Sequence, residues 1–287
     1  MIPSTALSPE TIFDYLDVGE EDRASCLELL EAQISPAASA VQDYLLAALG
    51  NPSDSPTPDV DVDGTPATEI QWLEAMIRFV PALQQWHAER DIPDAVTRDT
   101  LADFGRHLRI NRRVHGRFGM DTYKWLSHHF AGRIFQLGRL QYMLHQPSTD
   151  IPGVEADEWV LGIHIPEGGG LGMHLVTESL AQARRFFAAH FPEHPLTTAN
   201  CESWLLDPYL AEHIDPESNI ARFAALFTPY GAPRDEATDA VYFTFRTRSM
   251  EHLDLLPRTT ALQQLVLGRI EAGGIWQVGT AFLRLPH

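Results

Sequence analysis

Glu158-Trp159-Val160-Leu161-Gly162-Ile163-His164-Ile165-Pro166-Glu167-Gly168-Gly169-Gly170-Leu171-Gly172 passes from an apolar β-type run into a glycine tract. The residues after it, through His190, set Leu175, Leu180, Ala183, Phe186 and Phe187 on one stripe, which predicts an amphipathic helix from Gly172. Strand, glycine loop and helix together form the core of a layered α/β unit. Alternation along the strand puts Val160, Gly162 and His164 on one face and Leu161, Ile163 and Ile165 on the other.

Working outward, Arg139 to Gln146 and Thr198 to Leu206 read as flanking strands. Further on, 220–228, 240–247 and 275–285 also read as strands, with a helix from Thr260 to Ala272 stopped by Gly273-Gly274. The order suggests a strand-strand-helix-strand unit used twice, and a mixed sheet with helices packed on it.

Before residue 136 the periodicity is helical throughout. Helices are expected from Ser8-Pro9, over Glu20 to Gln33, Pro36 to Leu49, Glu69 to Glu89 with a kink at Pro81, and Pro93 to Ile110. Asp121 is placed to cap a last helix carrying Leu126, Phe130 and Ile134. Residues 51–68 lack an apolar face and read as a solvated acidic loop. Within it Asp59-Val60-Asp61-Val62-Asp63-Gly64 copies half of a calcium loop, but position 12 of the motif is Ile70 instead of a bidentate Glu. The expected class is therefore α+β: an all-helical domain over 1–136, with a flexible loop at 51–68, then a mixed sheet flanked by helices over 137–287.

The 287 residues are 44% hydrophobic and 21% charged, a globular composition with enough chain to bury a sizeable core. No apolar run is long enough to span a bilayer and no signal-peptide pattern opens the chain, so a cytoplasmic protein without membrane partners is expected. A net charge of -18 excludes a general nucleic-acid binder. Two distant cysteines, Cys26 and Cys201, give neither a disulfide framework nor a metal motif. Residues 1–97 carry 18 acids, whereas 106–139 carry seven arginines and Lys124 against Asp121 alone. Arg112 and Arg113 in that stretch can clamp an anionic group, or the stretch can pair with the N-terminal acids. His107, His115, His128 and His129 show no i, i+4 pair, and no metal site is expected.

The glycine loop admits a phosphate at a helix N-terminus, although it matches neither a dinucleotide fingerprint nor a P-loop. A plain flexible turn is the alternative reading. Cys201 in a strand reads as a small core residue.

Trp125 to Tyr142, Leu161 to Gly169 and Ser203 to Pro208 resemble a family of bacterial acyltransferase-domain proteins. The resemblance implies a helical N-acyltransferase N-terminal domain joined to a GNAT-like C-terminal domain. It further implies acyl-CoA or acetyl-CoA as co-substrate and a small-molecule or peptide amine as acceptor. Such enzymes hold the CoA pyrophosphate with a Q/R-x-x-G-x-G/A loop, here Glu167-x-x-Gly170-x-Gly172. Ile163 and Ile165 of the strand, with Gly168, Gly169, Gly170, Leu171 and Gly172, are then the cofactor-contacting candidates. Arg112 and Arg113 are candidates for the phosphates. Glu167 replaces Gln or Arg and repels a pyrophosphate unless its charge is compensated. Either the arginine-rich stretch compensates, or the chain is a non-catalytic GNAT-like binding module with an altered or lost CoA site. For the chemistry, His164 is the candidate base, Glu167 a partner in that role, and Tyr209 the candidate acid. Their structural alternatives are a strand histidine bonded to the backbone, a solvated carboxylate and an exposed first-turn tyrosine.

Overall fold

A computed structural model describes residues 7–52, 57–147, 150–247 and 249–285. Residues 1–6 at the N-terminus and 53–56 of the acidic loop lie outside them. The chain divides into two compact units, 1–137 and 138–287.

The first unit is mostly helical: α1 (Pro9–Tyr15), α2 (Glu20–Glu31), α3 (Pro36–Ala48), β1 (Asp61–Val62), β2 (Thr65–Pro66), α4 (Glu69–Ala88), α5 (Asp94–Leu101), α6 (Asp103–His115), α7 (Tyr123–Phe130) and β3 (Ile134–Leu137). Its core is α4, on which Trp72, Leu73, Met76, Ile77, Phe79, Val80 and Leu83 are almost fully buried. Thr68 and Gln71 close a capping box at its start. The one buried carboxylate on α4, Glu74, accepts from Ser35 N and Ser35 Oγ and pairs with Arg78 at 3.5 Å.

Three expectations for this unit are corrected. Residues 61–66 form a two-residue hairpin, because Asp63 and Gly64 both take positive φ (52° and 77°), which a tight hairpin turn requires. The segment 93–110 is two helices divided at Ala102, and the second ends with Gly116 at φ 67°. Ile134 belongs to β3 and not to the last helix, whose N-cap is Thr122 rather than Asp121. All four residues of β3 are buried.

The second unit contains β4 (Leu140–His145), β5 (Val160–His164), α8 (Met173–His190), β6 (Thr198–Ser203), α9 (Pro208–His213), α10 (Asn219–Ala224), β7 (Thr228–Pro229), β8 (Arg234–Asp235), α11 (Ala237–Phe245), α12 (Ala261–Glu271) and β9 (Gln277–Arg284). Its strands run in the order β4-β5-β6-β9-β7, with β8 also on β9. Among the described residues of this unit only the β5–β6 pair is parallel, with α8 as its crossover. On one sheet face Ser179 of α8 bonds Leu140 N at 3.1 Å and the Tyr142 hydroxyl at 3.0 Å. Part of the other face is covered by Ile151, Val160, Tyr230 and Phe282.

The strands expected at 220–228 and 240–247 are corrected to helices α10 and α11, so the unit is not doubled. Ser218 caps α10 by accepting from Ala221 N at 3.2 Å. In α11 the alternating aromatics imitate a strand, but Ala240 and Val241 are fully buried against Val266 of α12 and Trp276. Tertiary packing outweighs the β-propensity of Val-Tyr-Phe-Thr-Phe.

Candidate functional site

The β5–β6 ladder holds only Leu161↔Ala199 and Gly162↔Asn200. Beyond that pair, β6 continues against β9 as far as Ser203↔Gly279, and β5 continues against β4 through Gln141↔His164. The two parallel strands thus part at Gly162, and their carboxyl ends open toward the 165–172 loop. Crevices at such ends are the usual ligand sites of α/β sheets.

Gly168, Gly169 and Gly170 have φ of 94°, 70° and 63°, a conformation that side chains resist. The space a Cβ would occupy at Gly168 and Gly170 is open, so a ligand can approach this backbone. Arg139 donates to the Gly170 carbonyl, and buried Leu171 anchors the loop. The helix that follows, α8, has no acid in its first turn and no side-chain cap, which leaves its N-terminal dipole for an anion. These features suit an anionic group.

Glu167 does not stand uncompensated. Its carboxylate meets Arg246 at 2.8 Å. Arg246 takes φ 58° as the residue ending α11, and its guanidinium lies 5.3 Å from the Tyr242 ring centre. Arg246 thus supplies Glu167 with a compensating charge from within the second unit.

Antiparallel and parallel partners share a face, so Gln141, Met143, His145, Val160, Gly162, His164 and Asn200 lie together. His145 Nε2 bonds Asn200 Oδ1 at 3.0 Å, reaching from β4 across β5 to β6. It can do so because Gly162 has no side chain: a Cβ there would meet His145 Nε2 at 3.1 Å and His164 Nε2 at 3.5 Å. Asn200 also reaches the Tyr230 hydroxyl at 3.5 Å. His145 Nδ1 faces the Gln146 carbonyl at 3.2 Å.

The structure thus gathers Gly162, His164 and the glycine loop in one place. Ile163 is buried on the opposite face, and Ile165 is half-buried beyond the strand end. The Tyr209 ring stacks on His213 at 3.8 Å, meets Trp276 edge-on and carries Arg269 4.2 Å from its centre. Asp207 caps that helix and ties Arg269 at 2.8 Å and Gln277 N at 2.6 Å, a structural arrangement. Cys201 is buried, and burial pushes its thiol up to about 12, which removes it as a nucleophile.

In the first unit Arg112 is held by buried Asp22 and Arg109 by Asp17 at 2.7 Å. Arg117 is held by Glu69 at 3.0 Å, while Arg113 is exposed. His129 and His107 turn toward Asp103, at 3.1 and 3.5 Å. Burial alone would raise the Asp103 pKa, but hydrogen bonds and charge from the two imidazoles hold it well below the ordinary value. Among the described residues no group of three potential ligands could hold a metal ion, and no helix is long and apolar enough to cross a membrane. His145, Asn200 and Arg246 are not legible in the sequence, because only strand register and the α11 fold bring them to the site.

The family model for the N-acyltransferase N-terminal domain matches residues 9–132, and that for the GNAT-like C-terminal domain matches residues 134–283. The chain is similar to an acyltransferase solved in complex with decanoyl-CoA and teicoplanin, with 28% identity, a TM-score of 0.77, and 98% of this chain and 100% of the other covered. It is equally similar, at the same identity, coverage and TM-score, to an acyltransferase in complex with CoA and 10C-teicoplanin. A mutant acyltransferase in complex with octanoyl-CoA matches with 28% identity, the same coverage and a TM-score of 0.76. No curated protein matches the chain significantly.

Proposed function

The chain belongs to the family that joins an N-acyltransferase N-terminal domain to a GNAT-like C-terminal domain, and from that premise we propose that it moves a fatty acyl group from acyl-CoA to the amine of a glycopeptide-class acceptor. The observation that carries the reading is the carboxyl end of β5. There the parallel strands part, the glycine loop enters an acid-free helix N-terminus, and His164 stands two residues past Gly162 on the same face. Similar acyltransferases crystallised with medium-chain acyl-CoA and with teicoplanin support the donor and the acceptor class.

In this mechanism the CoA pyrophosphate sits on the backbone of Gly168 to Gly170 and the N-terminus of α8, and the thioester lies in the gap beyond Gly162. The acceptor nitrogen attacks the thioester carbonyl, the new C–N bond forms, and the C–S bond breaks. His164 takes the proton from the nitrogen and returns it to the CoA sulfur, so the products are an amide and free CoA. Such a base is worth about 10²- to 10⁴-fold in rate. Glu167, tied to Arg246, shapes the loop, and no step is routed through Tyr209.

The test is incubation with decanoyl-CoA and teicoplanin stripped of its acyl chain, followed by thiol release and product mass. An acceptor carrying one added decanoyl group supports the reading. Binding of decanoyl-CoA without transfer would instead make the chain a non-catalytic binding module.

A further inference from the structure

The Q/R-x-x-G-x-G/A pattern opens on a polar or basic side chain, and Glu167 fills that place here with Arg246 2.8 Å from its carboxylate. Such a pair has no net charge. A diphosphate therefore needs a full positive charge from outside the motif, beyond the partial charge of a helix end.

Arg139, the residue before β4, is placed to supply it. Gly138 takes φ 68° and brings the chain against α8: a Cβ there would lie 3.5 Å from Ser179 Cα, and Ser179 Oγ accepts from Leu140 N at 3.1 Å. The turn that carries Arg139 is thereby pinned to the same helix that the glycine loop enters. From this turn Arg139 Nε donates to the Gly170 carbonyl, and a Cβ on Gly169 would lie 3.5 Å from Nε and 3.6 Å from Cδ. The side chain lies along the loop. Gly168, Gly169 and Gly170 are all exposed and Arg139 is only half-buried, so the guanidinium borders a backbone that a ligand can reach. Five N–H donors on a planar fork allow one guanidinium to hold a loop carbonyl and a phosphate oxygen together. With the Cβ positions open at Gly168 and Gly170, a diphosphate seated there has Arg139 beside it at Gly169.

We propose that Arg139 binds the donor's pyrophosphate, supplying from the start of β4 the cation that the loop lacks at Glu167, an assignment that rests on the acyl-CoA reading above. Donor selectivity follows. Thioesters that carry a diphosphate are favoured over the same thioesters on bare pantetheine, because only the former meet the guanidinium.

The test titrates wild type, Arg139→Gln and Arg139→Lys with three probes: decanoyl-CoA, decanoyl-dephospho-CoA, which lacks the 3′-phosphate, and decanoyl-pantetheine, which lacks every phosphate. In Arg139→Gln the dissociation constants of both CoA thioesters should rise about tenfold at low salt, and that of decanoyl-pantetheine should stay level. Raising the ionic strength from about 0.01 M to about 0.1 M shortens the screening length from about 30 Å to about 10 Å. Wild type and Arg139→Lys should lose more decanoyl-CoA affinity over that range than Arg139→Gln, a difference that a purely loop-shaping role would not produce. Arg139→Lys keeps the charge and loses the fork, so its low-salt affinity should fall between the other two, and it carries the test if Arg139→Gln does not fold. Equal weakening of all three probes, equal salt dependence in wild type and Arg139→Gln, or an unchanged affinity for decanoyl-CoA would overturn the assignment. A loss seen with decanoyl-CoA and absent with decanoyl-dephospho-CoA would move Arg139 to the 3′-phosphate and overturn it too. Wild type that binds decanoyl-CoA no better than decanoyl-pantetheine would instead overturn the acyl-CoA reading of the loop itself.

Discussion

Replacing Gly162 by alanine puts a methyl group 3.1 Å from His145 Nε2 and 3.2 Å from its Cδ2, so the ring must withdraw by a few tenths of an ångström. The 3.0 Å bond to Asn200 then lengthens and loses most of its worth, about 1 kcal/mol for a neutral pair. Gly162 does not have a positive φ, so alanine meets no backbone strain and gains about 0.5–1 kcal/mol over glycine within a strand. The two effects nearly cancel, and Gly162→Ala should unfold in urea at almost the wild-type midpoint. In a His145→Ala background the clash is absent, and the same substitution should stabilise by about 0.5–1 kcal/mol. The cycle therefore carries a coupling of about 1 kcal/mol, above the ~0.5 kcal/mol scatter of independent sites. Turnover should fall about 10- to 100-fold in Gly162→Ala, because a small displacement at the floor of the site misplaces the reactants. Equal shifts of the urea midpoint in both backgrounds would refute the bridge across β5.

Three further outcomes are expected. Arg246→Ala should weaken CoA binding about five- to tenfold by exposing the Glu167 charge to the phosphates, and Arg246→Ala/Glu167→Gln should recover it, both read by calorimetry at low salt. His87 is buried beside Arg90, and burial first, then that charge, lowers its pKa to about 3. The unfolded chain binds the extra proton, so stability is full above about pH 6.5 and falls toward about pH 3 by at most ~1.4 kcal/mol per pH unit; His87→Asn should flatten that slope in urea titrations. His164→Asn should lower turnover at least about 100-fold and leave decanoyl-CoA affinity intact in equilibrium titration.

Much of the layout can be read from periodicity alone. The apolar stripe of α4 and the sequence of strand, glycine loop and helix through β5 and α8 are local patterns, and each forms where its period changes. The face shared by Gly162 and His164 follows from alternation in the same way. What the chain hides is non-local. Nothing in the sequence near Arg139 to Gln146 says that His145 will lie over Gly162, since that depends on the β4–β5 register. Arg246 is concealed by a segment whose aromatics mimic a strand, and the helix is decided by packing against α12 and Trp276. The arginines near residue 112 carry charge enough to invite a ligand, and only the folded positions of Asp17, Asp22 and Glu69 show where that charge is spent.

The most direct measurement is a crystal structure of the chain with decanoyl-CoA. The pyrophosphate is expected on the Gly168 to Gly170 backbone at the start of α8, with the thioester in the gap beyond Gly162 and Asn200 and on the His164 side. Phosphates seated instead on Arg112 and Arg113, or a thioester remote from His164, would contradict it.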